Sequence, residues 1–219
     1  MAKKIGVVLS GSGVMDGTEL HEAVLTLLAI NRAAAEAVCM APNIPQRHVV
    51  NHLTGEESKS EMRNVLVESA RIARGKIRDI STVKASEIDA LIFPGGFGAA
   101  KNLCDYAFSG PECSVNPEVA RLTGEVHAAG KPIGLVCIAP VIGAKLFGSE
   151  QPQITIGTDK NTARDIEKMG ANHVACPVSD FVIDKKRKLV STPAYMLANS
   201  IKEAAEGIEK LVQAVIQLS

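Results

Sequence analysis

Three short apolar runs, each stopped by small residues, constrain the fold of this 219-residue chain more than any other feature. They are Lys4–Leu9, Ile88–Phe93 and Pro132–Cys137. Ser10-Gly11-Ser12-Gly13 follows the first, Pro94-Gly95-Gly96 the second and Ile138-Ala139-Pro140 the third. Runs this short and continuous read as strands buried on both faces, the signature of a parallel sheet. Between them lie helical patterns over about 18–35, 58–74 and 117–129, and a long one closes the chain over 198–218. Residues 37–41 read as a further strand and 43–57 as a polar loop. Strands alternating with helices imply β-α-β units, hence an α/β fold with a mostly parallel sheet. Short strands are expected at 154–157, 181–184 and 189–192. The last two flank the basic run Lys185-Lys186-Arg187-Lys188, which reads as a solvated hairpin turn at an antiparallel edge. No repeat and no linker divides the sequence, so one domain over residues 1–219 is expected.

Such a sheet needs a core of Ala, Val, Ile and Leu. Apolar residues are 46% of the chain and aromatics 3%, without tryptophan. Acidic and basic residues balance at 24 each, with no basic stripe interleaved with aromatics, so a nucleic-acid partner is not expected. No apolar run approaches a membrane span and no signal-peptide pattern is seen, which makes the cytoplasm the expected compartment. The five cysteines, at 39, 104, 113, 137 and 176, contain no C-x-x-C pair, and none of the five histidines has a partner at metal-ligand spacing. Reduced thiols are expected, with neither metal nor cofactor.

In an open parallel sheet, sites form beyond the carboxyl ends of the strands. The loop at 10–13 resembles a dinucleotide fingerprint, but Asp16 stands where its third glycine belongs, so a tight turn is the simpler reading. Cys137 stands at a strand-to-helix elbow. There a thiol is expected to be exposed and its pKa lowered by the following helix N-terminus. Gly95 and Gly96 leave backbone N–H groups free to face a ligand oxygen and, with the Ile138 N–H, can form an oxyanion hole. Glu19 opens the first helix, either as a cap or as a carboxylate sharing a proton with Cys137, with Glu22 three residues on in support. No H-x-E pair follows Cys137, which counts against a Cys-His-Glu hydrolytic triad.

Five motifs run in order along essentially the whole chain: Gly11–Glu22, Phe93–Asn102, Cys137–Pro140, Ile156–Asp159 and Thr192–Tyr195. Together they resemble the bacterial ElbB-type proteins, glyoxalase-like members of the class I glutamine amidotransferase-like superfamily that also holds the PfpI and ThiJ groups. The resemblance implies a flavodoxin-like three-layer sandwich, often dimeric, and cofactor-free conversion of a small aldehyde, glyoxal, to glycolate, a lyase-type activity that overlaps with deglycation. It also implies an association with isoprenoid biosynthesis. Cys137 matches the superfamily nucleophile, Glu19 its first-helix glutamate, and Gly95 and Gly96 its glycine turn. The sequence departs where a histidine is usual: that stretch reads Thr155-Ile-Gly-Thr-Asp159, so Thr158 or Asp159 is the expected support for a Cys–Glu pair. The alternatives are a thiol-based redox sensor or regulatory partner and, behind it, a glutamine amidohydrolase.

Overall fold

A computed structural model describes residues 2–219. Its strands and helices, in chain order, are β1 (Lys4–Val8), α1 (Leu20–Arg32), β2 (Glu36–Ala41), α2 (Val65–Ile72), β3 (Ile77–Asp79), β4 (Ala90–Phe93), α3 (Tyr106–Ser109), α4 (Pro117–Ala128), β5 (Ile133–Val136), α5 (Pro140–Phe147), β6 (Gln153–Ile154), α6 (Lys160–Lys168), β7 (Asn172–His173), β8 (Val182–Asp184), β9 (Leu189–Thr192) and α7 (Ile201–Leu218).

Seven strands form one sheet in the order β3-β2-β1-β4-β5-β9-β8. All neighbours pair in parallel except β8 and β9, the antiparallel edge whose turn is the basic run at 185–188. The other two strands, β6 and β7, make a separate parallel pair. Strand side chains alternate between two cores, as a period of two requires. Leu91, Phe93, Ile133 and Leu135 enter the core shared with Val119, Leu122 and Val126 of α4, several residues of α5 and Ile166 of α6. Ile5, Val7, Ile92 and Val136 enter the opposite core, shared with Ala23 and Ile30 of α1, Val65 of α2 and Ile208, Leu211 and Val215 of α7. The chain is therefore a three-layer α/β sandwich, as its sequence implies.

Several expected boundaries shift. The helix expected over 58–74 is confined to Val65–Ile72, because the Asn64 side chain caps it by accepting the Val67 N–H at 3.1 Å. The strand expected at 154–157 is cut to Gln153–Ile154 and lies outside the main sheet. Four elements were not anticipated: β3, a three-residue strand, the short α3 and β7, and α6, a polar helix that buries only Ile166.

The strand order places the switch point between β1 and β4. From β1 the chain winds outward to β2 and β3; from β4 it winds the other way to β5 and β9. A crevice opens where successive connections part to opposite sides of a sheet. The loops after β1, β4, β5 and β9 converge there.

Candidate functional site

The β1 loop is tied to the β4 turn by a backbone bond, Glu19 N–H to the Gly95 carbonyl at 3.0 Å. Glu19 itself is the N-cap of α1. Its extended backbone (φ −65°, ψ 122°) lets Oε2 accept the Glu22 N–H at 2.7 Å. Glu22 is wholly buried. Its Oε2 accepts the Gly95 N–H at 2.8 Å and its Oε1 accepts the Tyr195 N–H at 3.1 Å. A carboxyl in α1 is thereby gripped from the ends of both β4 and β9.

Cys137 follows β5 directly. Its N–H donates to the Thr192 carbonyl at 2.9 Å, and its backbone then turns to φ +60°. That is the left-handed region, which costs an L-residue about 1–2 kcal/mol. A non-glycine residue held there is overdetermined by its surroundings, as functional elbows often are. The turn brings the thiol against the Glu22 carboxyl, its hydrogen-bonding neighbour. The Gly96 and Ile138 N–H groups also aim at the sulfur. Gly95 packs between the two partners: a Cβ there would lie 2.5 Å from Cys137 Cβ and 2.6 Å from Glu22 Oε2.

Burial is the main force on both groups. It lifts the Glu22 carboxyl to a pKa of about 7, against the pull of the Tyr195 and Gly95 N–H bonds, and the charge of Glu19 adds to the rise. Burial, then the Glu22 charge and its hydrogen bond, push the Cys137 thiol well above its ordinary value. Two expectations are corrected here. The thiol is 8% exposed rather than open to solvent, and its pKa is raised rather than lowered. Burial, with the Glu22 carboxyl beside the sulfur, outweighs a helix terminus, since α5 starts only at Pro140. The resting pair holds its protons, one on sulfur and one titrating near neutrality on Glu22.

Above the sulfur lies a cavity of about 460 Å³. Glu19, Gly96, Cys137, Ile138 and Asp159 all line it. So do Phe97, Tyr106, Tyr195 and Met196, which sequence reasoning did not single out. The carboxyl set against the thiol is that of Glu22, whereas Glu19, expected in that position, caps α1 and forms part of the wall. The Gly95 N–H is committed to Glu22, so of the expected backbone donors only Gly96 and Ile138 face the sulfur. Asp159 caps α6 by accepting the Thr162 N–H at 2.8 Å, and Thr158 is exposed outside the cavity wall. No histidine lines the cavity among the described residues; His21 lies beyond it, with Nδ1 2.8 Å from the Tyr195 hydroxyl. The other four cysteines are free and buried and line no part of the cavity. The described residues hold no cluster of three metal-ligating side chains and no helix long and apolar enough to cross a membrane.

No family model matches the chain. The human glutamine amidotransferase-like class 1 domain-containing protein 3, mitochondrial, is 46% identical over 227 residues, covering 100% of this chain and 84% of that protein. Among solved structures, the isoprenoid biosynthesis protein with amidotransferase-like domain from Ehrlichia chaffeensis aligns with a TM-score of 0.93 and 39% identity, over 99% of both chains. A DJ-1 variant from Schizosaccharomyces pombe, 18% identical with a TM-score of 0.58 over 98% of this chain and 96% of its own, shares the fold. By this sequence identity the chain belongs to the class I glutamine amidotransferase-like family, with a fold shared by the DJ-1 variant.

Proposed function

We propose that the chain is a cofactor-independent, ElbB-type glyoxalase that converts glyoxal and water to glycolate. The observation that carries this reading is the buried Cys137–Glu22 pair, whose cysteine lines the cavity, with the Gly96 and Ile138 N–H groups beside the sulfur. The superfamily includes enzymes of the glyoxalase and deglycase kind, which agrees with it. Glu22, not Glu19, takes the role of general acid–base, because it meets the thiol and titrates near neutrality.

The thiol adds across one aldehyde group. The S–C bond forms, and the thiol proton passes through Glu22 to the carbonyl oxygen, giving a hemithioacetal. The Gly96 and Ile138 N–H groups steady the oxygen while it carries charge. Glu22 then removes the proton from the sulfur-bearing carbon. The electron pair forms a double bond to the neighbouring carbon as its carbonyl opens, and the oxygen there takes up a proton to complete the enediol. Glu22 then returns its proton to that neighbouring carbon while the hydroxyl on the sulfur-bearing carbon releases its own proton and becomes the thioester carbonyl, the proton lost by one oxygen replacing the one gained by the other. The product is a thioester of glycolate. Water adds to it, the C–S bond breaks, the thiol regains its proton, and glycolate leaves.

The test is glycolate formation from glyoxal by the protein beside Cys137→Ser and Glu22→Gln. Turnover by the protein, with a loss of about 10³-fold or more in Cys137→Ser, is expected. Unchanged turnover in Cys137→Ser refutes the scheme. The likeness to the isoprenoid biosynthesis protein from Ehrlichia favours one second reading, a regulatory role tied to isoprenoid biosynthesis. Peroxide giving a defined oxidation product at Cys137 without aldehyde turnover would support it, and ammonia release from glutamine would redirect the assignment to an amidohydrolase.

Two further expectations belong to this reading. The protein is a homodimer: Leu20, Val24 and Leu28 form an exposed apolar stripe along α1, at 44%, 55% and 41% exposure. It works in the cytoplasm, where its five free thiols suit a reducing compartment. The human relative's mitochondrial designation makes the check concrete: recovery of the protein from an organelle fraction overturns the assignment.

A further inference from the structure

We propose that the cavity above Cys137 is built for an organic cation, so that its substrate is a carbonyl compound carrying an ammonium or alkylammonium group. The proposal rests on the glyoxalase reading only for the carbonyl; the preference for positive charge stands on the cavity wall.

The wall is unusual for this chain. Its two tyrosines, Tyr106 and Tyr195, both line the cavity, and Phe97 joins them. Three aromatic rings thus gather at one place in a protein with seven Phe and Tyr residues. Two carboxylates, Glu19 and Asp159, share the wall, and no Lys, Arg or His does. Glu19 is 8% exposed. One of its oxygens is spent on the α1 cap; the other, Oε1, has no hydrogen-bond donor among the described residues and only His21 Nδ1 at 3.8 Å. The Thr162 N–H and hydroxyl hold the Asp159 carboxyl below the usual carboxylate range, so it is ionised at neutral pH.

Behind the first wall the field has the same sign. The Tyr106 hydroxyl donates to Asp165 Oδ2 at 3.0 Å, and burial, Asp165 and Asp159 together push this phenol up. Burial, Glu19 and Glu22 do the same to Tyr195. Lys101 and His21, beside the wall, are committed elsewhere. Lys101 Nζ donates to the Met15 carbonyl at 2.9 Å and lies 5.4 Å from the Phe97 ring centre. His21 holds the Tyr195 hydroxyl. Aromatic faces and carboxylates, with no basic side chain in the wall itself, attract a weakly hydrated cation and repel an anion.

Size points the same way. Glyoxal has four heavy atoms and leaves most of 460 Å³ empty. A carbonyl group on Cys137 with a longer cationic tail along Tyr106 and Phe97 uses the room that glyoxal does not.

The test uses the protein itself with three unreactive probes: phenyltrimethylammonium, benzyl alcohol and benzoate. Affinity is read by calorimetry, and occupancy of the site by protection of Cys137 against iodoacetamide, read by mass spectrometry. The cation is expected to bind about tenfold more tightly than benzyl alcohol and to protect Cys137, with benzoate weakest. Asp159→Asn is expected to lower affinity for the cation several-fold while leaving benzyl alcohol unchanged; asparagine still caps α6, so the variant folds. Glu19→Gln, which keeps an amide oxygen for the α1 cap, does the same. Equal affinity for cation and alcohol overturns the proposal, as does a cation affinity unmoved by both substitutions, or no binding by any probe. Cation binding without aldehyde turnover would sink the glyoxalase reading and leave this one intact; turnover with no cation preference does the reverse.

Discussion

Glu22 is a buried carboxyl whose folded pKa, about 7, lies above its ordinary value of 4.5. The sign of its effect on stability follows directly. Between these values the folded chain binds a proton that the unfolded chain has lost, so the stabilisation is complete below 4.5 and is lost as pH rises through 7. Using the two pKa values, the loss between pH 5 and pH 8 is about 2.5 kcal/mol, within a full span of about 3.4 kcal/mol. Glu22→Gln removes the titration but not the burial. Its single amide oxygen can satisfy only one of the Gly95 and Tyr195 N–H groups, so the variant starts with a penalty of about 1–3 kcal/mol. The quantity to follow is the difference in urea unfolding free energy between protein and variant at pH 5, 6, 7 and 8. It should shrink by about 2.5 kcal/mol in favour of the variant as pH rises. The raised thiols of Cys39, Cys104 and Cys176 are common to both proteins and drop out of the difference. A difference that stays flat from pH 5 to pH 8 refutes the view that Glu22 titrates near neutrality, and the proposed acid–base role falls with it.

If Glu22 must give up its proton to begin the reaction, kcat/KM for glyoxal rises with pH through about 7, and this limb vanishes in Glu22→Gln; a pH–rate series checks both. Gly95→Ala forces a Cβ to 2.5 Å from Cys137 Cβ and 2.6 Å from Glu22 Oε2, so thermal unfolding should register about 1–3 kcal/mol of destabilisation and residual activity should fall with the displaced pair. Gly148→Ala drives a methyl into the Met169 carbonyl oxygen, outside the cavity wall, and should cost stability by melting temperature without altering kcat. Val24→Asp places a charge in the exposed stripe on α1; sedimentation should show monomer, and a dimer that persists refutes that face as the contact.

The strands were legible because burial on both faces leaves an unbroken apolar run. β1, β4 and β5 carry buried residues at nearly every position. The elements that escaped notice lack that signal. α6 reads Lys-Asn-Thr-Ala-Arg-Asp-Ile-Glu-Lys, and its one buried side chain leaves no apolar periodicity; only the cap at Asp159 and the glycine at 170 mark its ends. β3 has three residues at the sheet edge, held by pairing with β2 rather than by its own pattern. Polar residues 58–64 read as helix because no glycine or proline separates them from α2, yet the chain there bridges Asn64 to Pro45.

The choice between Glu19 and Glu22 shows where sequence stops. Both stand in the opening turn of α1, three residues apart, a spacing that fits a capping box. In a capping box the N-cap side chain takes the third residue's N–H, and the third residue's carboxyl returns to the N-cap N–H. The first half is present: Glu19 Oε2 accepts the Glu22 N–H. The second half is not, because the Glu19 N–H is given to the Gly95 carbonyl. That one tertiary bond releases the Glu22 carboxyl from its local duty, and the Gly95 and Tyr195 N–H groups take it instead. Gly95 arrives from β4 and Tyr195 from beyond β9, 73 and 173 residues away in the chain. No pattern local to α1 contains that information. The five ordered motifs do carry its pieces: the glutamates in the first, the glycine turn in the second, the cysteine elbow in the third and the tyrosine in the fifth. What joins them is the strand order, which brings the loops after β1, β4, β5 and β9 to one crevice and sets a carboxyl against a thiol on a strained turn.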